Sequence, residues 1–129
     1  MANATSITLN ALTAETVLTR PTGDVLDTGT DAVTIDLTPD ADLHRILLEV
    51  TNTAGAADTM TVSIAAGDYP PAASQSLGAV SFTVAQSAVR YIVLDSAQHM
   101  QSDGTVEVTV TPAATKTQTA TIRAYKLPK

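Results

Sequence analysis

A chain of 129 residues without cysteine is sized for one domain, and it excludes disulfides, thiolate metal sites and thiol catalysis together. Its net charge of −6, with seven Lys and Arg spread along the chain, offers no clustered positive surface for nucleic acid or for an anionic membrane. The apolar runs are too short for a membrane-spanning helix, Met1-Ala2-Asn3-Ala4 lacks the regions of a signal peptide, and the absence of cysteine suits assembly in a reducing cytoplasm.

In chain order, the first strand is expected over Thr5–Leu9 with Ile7 and Leu9 inward. Residues 10–31 are punctuated by Pro21, Gly23 and Gly29 and made acidic by Asp24, Asp27 and Asp31, which reads as a weak strand near Glu15–Thr19 and a loop. Val33-Thr34-Ile35-Asp36-Leu37 alternates cleanly, as a strand with one wet face does. After the turn Pro39-Asp40-Ala41-Asp42, the segment 44–52 is apolar on both parities, because Leu47 interrupts the Ile46/Leu48/Val50 alternation. That pattern marks a central strand.

Asn52-Thr53-Ala54-Gly55-Ala56 supplies turn chemistry before a strand over 58–65. Gly67-Asp68-Tyr69-Pro70-Pro71 then interrupts the sheet, since two successive prolines cannot join a ladder. Strands over 79–85 and 88–94 are expected to form a hairpin through Ala85-Gln86-Ser87. Tyr91, in step with Val89 and Val93, is expected to be buried. A further pair at about 97–101 and 104–111 flanks Gln101-Ser102-Asp103-Gly104, whose Asp-Gly is a tight-turn signal. The last strand is Thr119–Leu127.

The sum is an all-β chain: an antiparallel β-sandwich or jelly roll of about eight to ten short strands in a single domain over 1–129. A possible N-terminal arm covers 1–10, with Ala4, Thr5, Ser6 and Ile7 as its candidate contact residues, and a short tail covers 127–129. Aromatic residues make up only 3% of the chain, so the core must be filled by small and branched aliphatics. Stability then rests on many small contacts or on subunit interfaces.

Constellations that carry chemistry are scarce. Asp95, Ser96 and His99 invite a triad reading, but three residues at one strand end do not converge easily and no glycine-rich elbow surrounds Ser96. His44 and His99 are the only histidines, and a zinc site needs further ligands, so surface or interface roles are expected for both. The acids Asp24, Asp27, Asp31, Asp36, Asp40 and Asp42 lack the spacing of a helix-flanked calcium loop and read as solvated turn residues. Asn3-Ala4-Thr5 matches a glycosylation acceptor, which has no meaning without secretion. The chain is expected to be no enzyme and to hold no metal or cofactor. The segment Asp68, Tyr69, Pro70 and Pro71 is the candidate partner-contact loop, a rare aromatic held beside two stiff residues; as a bare pattern it also reads as a rigid connection.

One ordered set of turn blocks goes further. Asn52-Thr53-Ala54-Gly55-Ala56 is followed by Ala66-Gly67-Asp68-Tyr69-Pro70-Pro71-Ala72, then Leu77-Gly78, then Ser96-Ala97 with Gln101-Ser102-Asp103-Gly104. The close is Ile122-Arg123-Ala124-Tyr125-Lys126-Leu127-Pro128. Over about residues 45–128 this resembles a group of small virion structural proteins of tailed bacteriophages that includes head decoration (cement) proteins. The resemblance implies a capsid-exterior protein that binds the major capsid protein of the assembled shell, commonly as a homotrimer near three-fold positions. It carries over no functional residue, because no motif marks one. A terminal arm adding a strand to a capsid edge is one physical route to such binding, and many identical copies let weak contacts suffice. Two alternatives stand beside it: a tail or neck component of the virion, and a carbohydrate-binding or adhesive sandwich. The latter needs exposed aromatics, for which the chain offers only Phe82 and three tyrosines.

Overall fold

The computed structural model describes residues 6–26, 31–36, 45–53, 59–67, 78–101, 104–111 and 120–128. These form ten strands and one helical turn: β1 (Ser6–Ile7), β2 (Leu9–Ala11), β3 (Asp24–Leu26), β4 (Asp31–Asp36), β5 (Arg45–Asn52), β6 (Met60–Ile64), β7 (Val80–Val84), β8 (Val89–Asp95), α1 (Ser96–His99), β9 (Thr105–Thr111) and β10 (Ala120–Lys126). The first sheet has the order β1-β4-β9-β6-β7 and the second β2-β10-β5-β8, with β3 also paired to β10. The all-β sandwich expected from the alternation is what the chain builds.

The alternating segments behave as period two requires. On β9, Val106, Val108 and Val110 are fully buried while Glu107 and Thr111 are exposed, and on β6 Met60, Val62 and Ile64 point inward. Opposite them, β5 and β10 contribute Ile46, Leu48, Val50, Ala120, Ile122 and Ala124 to a single cluster between the sheets. Among the described residues no aromatic ring belongs to that cluster; Phe82 only packs against it. Each fully buried Val, Ile or Leu is worth about 1.5–3 kcal/mol, so the many small contacts do sum to a core. The doubly apolar β5 lies inside its sheet, between β10 and β8, as its pattern implied.

Four expectations are corrected. The sheets are mixed rather than antiparallel: β1 runs parallel to β4, and β2 parallel to β10. Both parallel pairs come from one N-terminal stretch that leaves the first sheet for the second at Thr8, whose N–H donates to Asp24 Oδ2 at 2.8 Å. β7 and β8 do not form a hairpin, because β7 pairs with β6 and β8 with β5. Residues 85–88 cross between the sheets instead, held by Asn52, which donates from Nδ2 to Val84 O (3.0 Å) and from its backbone to Ala88 O (3.1 Å). The expected strand over 97–101 is mostly the turn of helix α1, with one bridge from Met100 to Val106. The weak strand near Glu15–Thr19 is a turn at Ala14–Glu15 followed by irregular chain, and Glu15 has φ 58°.

Candidate interaction surface

The second sheet has a wet side whose odd-numbered residues lie in three aligned rows: Val89, Tyr91 and Val93 on β8; Thr51, Glu49 and Leu47 on β5; Thr121, Arg123 and Tyr125 on β10. An acid in the middle row of a central strand must find cations or be neutralised. Glu49 is 2% exposed. Its Oε1 accepts a hydrogen bond from the Tyr91 hydroxyl at 2.7 Å, and its Oε2 accepts from Arg20 Nη2 at 3.1 Å and Arg123 Nη1 at 3.0 Å. Burial pushes the Glu49 carboxyl up, but the Tyr91 bond, the Arg20 bond and the charges of Arg20 and Arg123 together outweigh it and hold the group below its usual range. The same bond to Glu49, with desolvation and the carboxylate charge, pushes the Tyr91 phenol up.

Arg20 belongs to the segment 12–22, which lies across this side as a strap. Leu12 N–H donates to Lys126 O (2.8 Å), while Arg123 donates from Nε to Pro21 O (2.7 Å) and from Nη2 to Thr22 O (3.0 Å). The strap turns at Gly23 with φ 88°, where a Cβ would come within 2.6 Å of Thr121 Cγ2. Between strap and sheet runs an open groove of about 340 Å³, lined by Leu12, Arg20, Leu47, Glu49, Tyr91 and Tyr125.

Beyond the groove the row on β8 is open. Val89 is 40%, Tyr91 60% and Val93 53% exposed. This overturns the expectation that Tyr91 is buried. Both parities of β8 are apolar, and the sheet turns Ile92 and Leu94 inward, leaving the odd row outside. Three large apolar side chains in line on an outer strand are the kind of patch that marks contact surfaces.

The other expected contact residues lie elsewhere. Asp68, Tyr69, Pro70 and Pro71 fall outside the described residues, but both ends of their segment are gripped by the α1 region. Gly67 N–H donates to Gln98 O (2.9 Å), Gln101 Nε2 to Ala66 O (2.8 Å) and Gln98 Nε2 to Gly78 O (3.4 Å). His99, expected at a surface, is 2% exposed and donates from Nδ1 to Ala65 O at 3.1 Å, so it serves this clamp rather than Asp95. Of the N-terminal candidates, Ala4 and Thr5 fall outside the described residues. Ser6 and Ile7 form β1, and Ile7 is 3% exposed in the core. Their backbone is committed to β4, so this pair is part of the domain and not an arm. Leu127 at the tail is tied by its N–H to Arg45 O (3.1 Å).

Among the described residues no three His, Asp, Glu or Cys side chains gather as a metal site. Asp24 accepts from Thr8, whereas His44, Asp27, Asp40 and Asp42 fall outside them. No helix among the described residues is long and apolar enough to cross a membrane.

No family model matches the chain, and neither the curated proteins nor the solved structures give a match. The surface itself is therefore the guide to function, with Tyr91 at its centre: its hydroxyl is anchored on Glu49, and its exposed ring joins the groove to the apolar row.

Proposed function

We propose that the protein is a non-catalytic virion subunit of a tailed phage, a decoration (cement) protein that binds the major capsid protein on the outside of the assembled head. The observation that supports this reading is the exposed row Val89, Tyr91 and Val93 on a rigid sheet, a surface suited to contact rather than chemistry. The ordered turn blocks over 45–128 point the same way. Such a subunit needs only modest affinity per copy, because it adds interface area between shell subunits at many equivalent places.

Co-sedimentation with purified expanded capsids of the encoding phage tests it. Saturable uptake is expected, with Tyr91→Asp reducing it at least about tenfold, the scale of losing one central contact. Absence of binding by the wild-type protein overturns the reading, and gold labelling confined to tails moves the protein to the tail or neck.

The exposure of Tyr91 also favours a second reading, a saccharide-binding sandwich. A fixed ring with Arg20 beside it on the groove wall is a platform on which a sugar ring can stack. One saturable hit on a glycan array, lost in Tyr91→Ala, would establish it.

A further inference from the structure

The fold uses only part of Arg20. Its Nε and Nη2 both donate to the same oxygen of Glu49, at 3.4 and 3.1 Å, and among the described residues Nη1 meets no acceptor. A guanidinium presents its N–H donors in a rigid plane, so the outer edge formed by Nη1 and the far side of Nη2 is left over. The side chain is 57% exposed, which puts that edge within reach of a ligand. Glu49 has no oxygen to spare, since Oε1 accepts from Tyr91 and Oε2 serves Arg123 as well. One carboxylate thus answers two cations. Among the described residues no other acid makes up the difference: Asp24 accepts from Thr8 N–H and forms no ion pair with Arg123, Asp95 stands opposite Arg45 in the register, and Glu15 of the strap makes no bond to Arg20.

The free edge belongs to the wall of the groove. Leu47 on β5 supplies the floor, Tyr91 and Tyr125 come from the strands on either side, and the strap adds Leu12 and Arg20. β8 and β10 lie about 10 Å apart across β5, and a volume of about 340 Å³ is within the range of small-ligand sites. The groove is open rather than enclosed, which suits one unit of a continuing polymer. Tyr91 is a flat platform fixed by its own hydroxyl, and the Tyr125 hydroxyl bonds no described residue.

We propose that this groove binds an acidic polysaccharide at one uronic-acid unit, whose carboxylate takes the outer edge of Arg20 and whose ring lies on Tyr91. The planar fork matches a carboxylate through two parallel N–H···O bonds. The apolar face of the sugar covers the tyrosine ring, and the Tyr125 hydroxyl is left for a sugar hydroxyl. The inference rests on the saccharide reading of this groove and adds to it the acid and the residue that selects it. In a chain of net charge −6, a groove that favours an anion is a local reversal of sign.

A glycan array carrying neutral, uronic-acid and sialic-acid chains, followed by calorimetry with oligogalacturonate, is the test. Two probes separate the parts of the ligand: the fully methyl-esterified oligomer has the ring without the charge, and poly-glutamate has the charge without the ring. Saturable binding of oligogalacturonate is expected, at least about tenfold tighter than either probe and weakened by salt. Arg20→Met should lose at least about tenfold, the scale of a charge-assisted hydrogen bond, and Tyr91→Ala should lose binding too. Hits confined to neutral glycans leave the saccharide reading standing and overturn this inference, whereas no hit on any glycan sinks both. Equal binding of the methyl ester or of poly-glutamate, or undiminished binding by Arg20→Met, also overturns it.

Discussion

Replacing Glu49 by Gln keeps the shape of the side chain and removes its charge, leaving Arg123 facing an amide. The Arg123 side chain is 12% exposed and that of Glu49 3%, so this is close to the regime where breaking a buried pair costs about 3–5 kcal/mol. Arg123 keeps its bonds to Pro21 O and Thr22 O, and the amide oxygen can still accept from Tyr91, which places the expected loss at the lower end, about 3 kcal/mol. For a domain of this size that lowers the melting temperature by about 12 °C. Urea denaturation followed by far-ultraviolet circular dichroism measures it directly. Adding Arg123→Met to Glu49→Gln should recover part of the loss, because no buried ion is then left bare. Arg20→Met should move the midpoint much less than Glu49→Gln, since its side chain is 57% exposed and screened by water. A loss below about 1 kcal/mol for Glu49→Gln, or an equal loss for Arg20→Met, refutes the view that Glu49 and Arg123 hold the strap.

Four further outcomes follow from the same structure. The Glu49 carboxyl is held below its ordinary value of 4.5, so its contribution is complete above that pH and is lost as pH falls through the folded value; the stability difference between wild type and Glu49→Gln should therefore shrink below about pH 4.5, as acid denaturation profiles will report. Tyr91 should ionise above 10.0 in alkaline ultraviolet titration, identified by its loss in Tyr91→Phe, and should return toward that value in Glu49→Gln. Ile7→Ala should cost about 2–5 kcal/mol in the same urea assay, whereas a residue of a free arm would cost almost nothing. Thr51→Val should stabilise by about 1 kcal/mol, because the Thr51 hydroxyl oxygen is buried without a hydrogen-bond partner and Val fills the same volume.

The parts legible in the sequence were those where polarity and period agree. β4, β6, β7 and β9 alternate apolar with Thr, Ser or acid, so both the strand and its inward face can be read. β8 is different: Val89, Tyr91 and Val93 alternate with Ile92 and Leu94, and a strand apolar on both parities does not announce its outer face. Which strands share a sheet is also silent in local pattern. The three residues Ala85-Gln86-Ser87 suit a hairpin as well as a crossing between layers, and only Asn52, far away in sequence, decides it. The Glu49 cluster did leave a signal. A lone acid in Ile46-Leu47-Leu48-Glu49-Val50 and a lone base in Ile122-Arg123-Ala124 are the pattern of two central strands sharing a buried ion pair. What could not be read is that a third partner, Arg20, arrives from a segment without regular structure.

The position of β10 has a consequence for synthesis. The last strand of the chain is an inner strand of its sheet, with β5 along one side and β3 and β2 along the other. On the ribosome, β5 therefore waits for residues 120–126 before that side of its ladder can close. At about 5–20 residues per second the interval from Arg45 to Ala120 is roughly 4–15 s, during which an apolar strand has an unfilled side. The newborn chain is thus exposed to misassociation throughout that interval, and the low aromatic content of its strands limits how strongly it sticks while it waits.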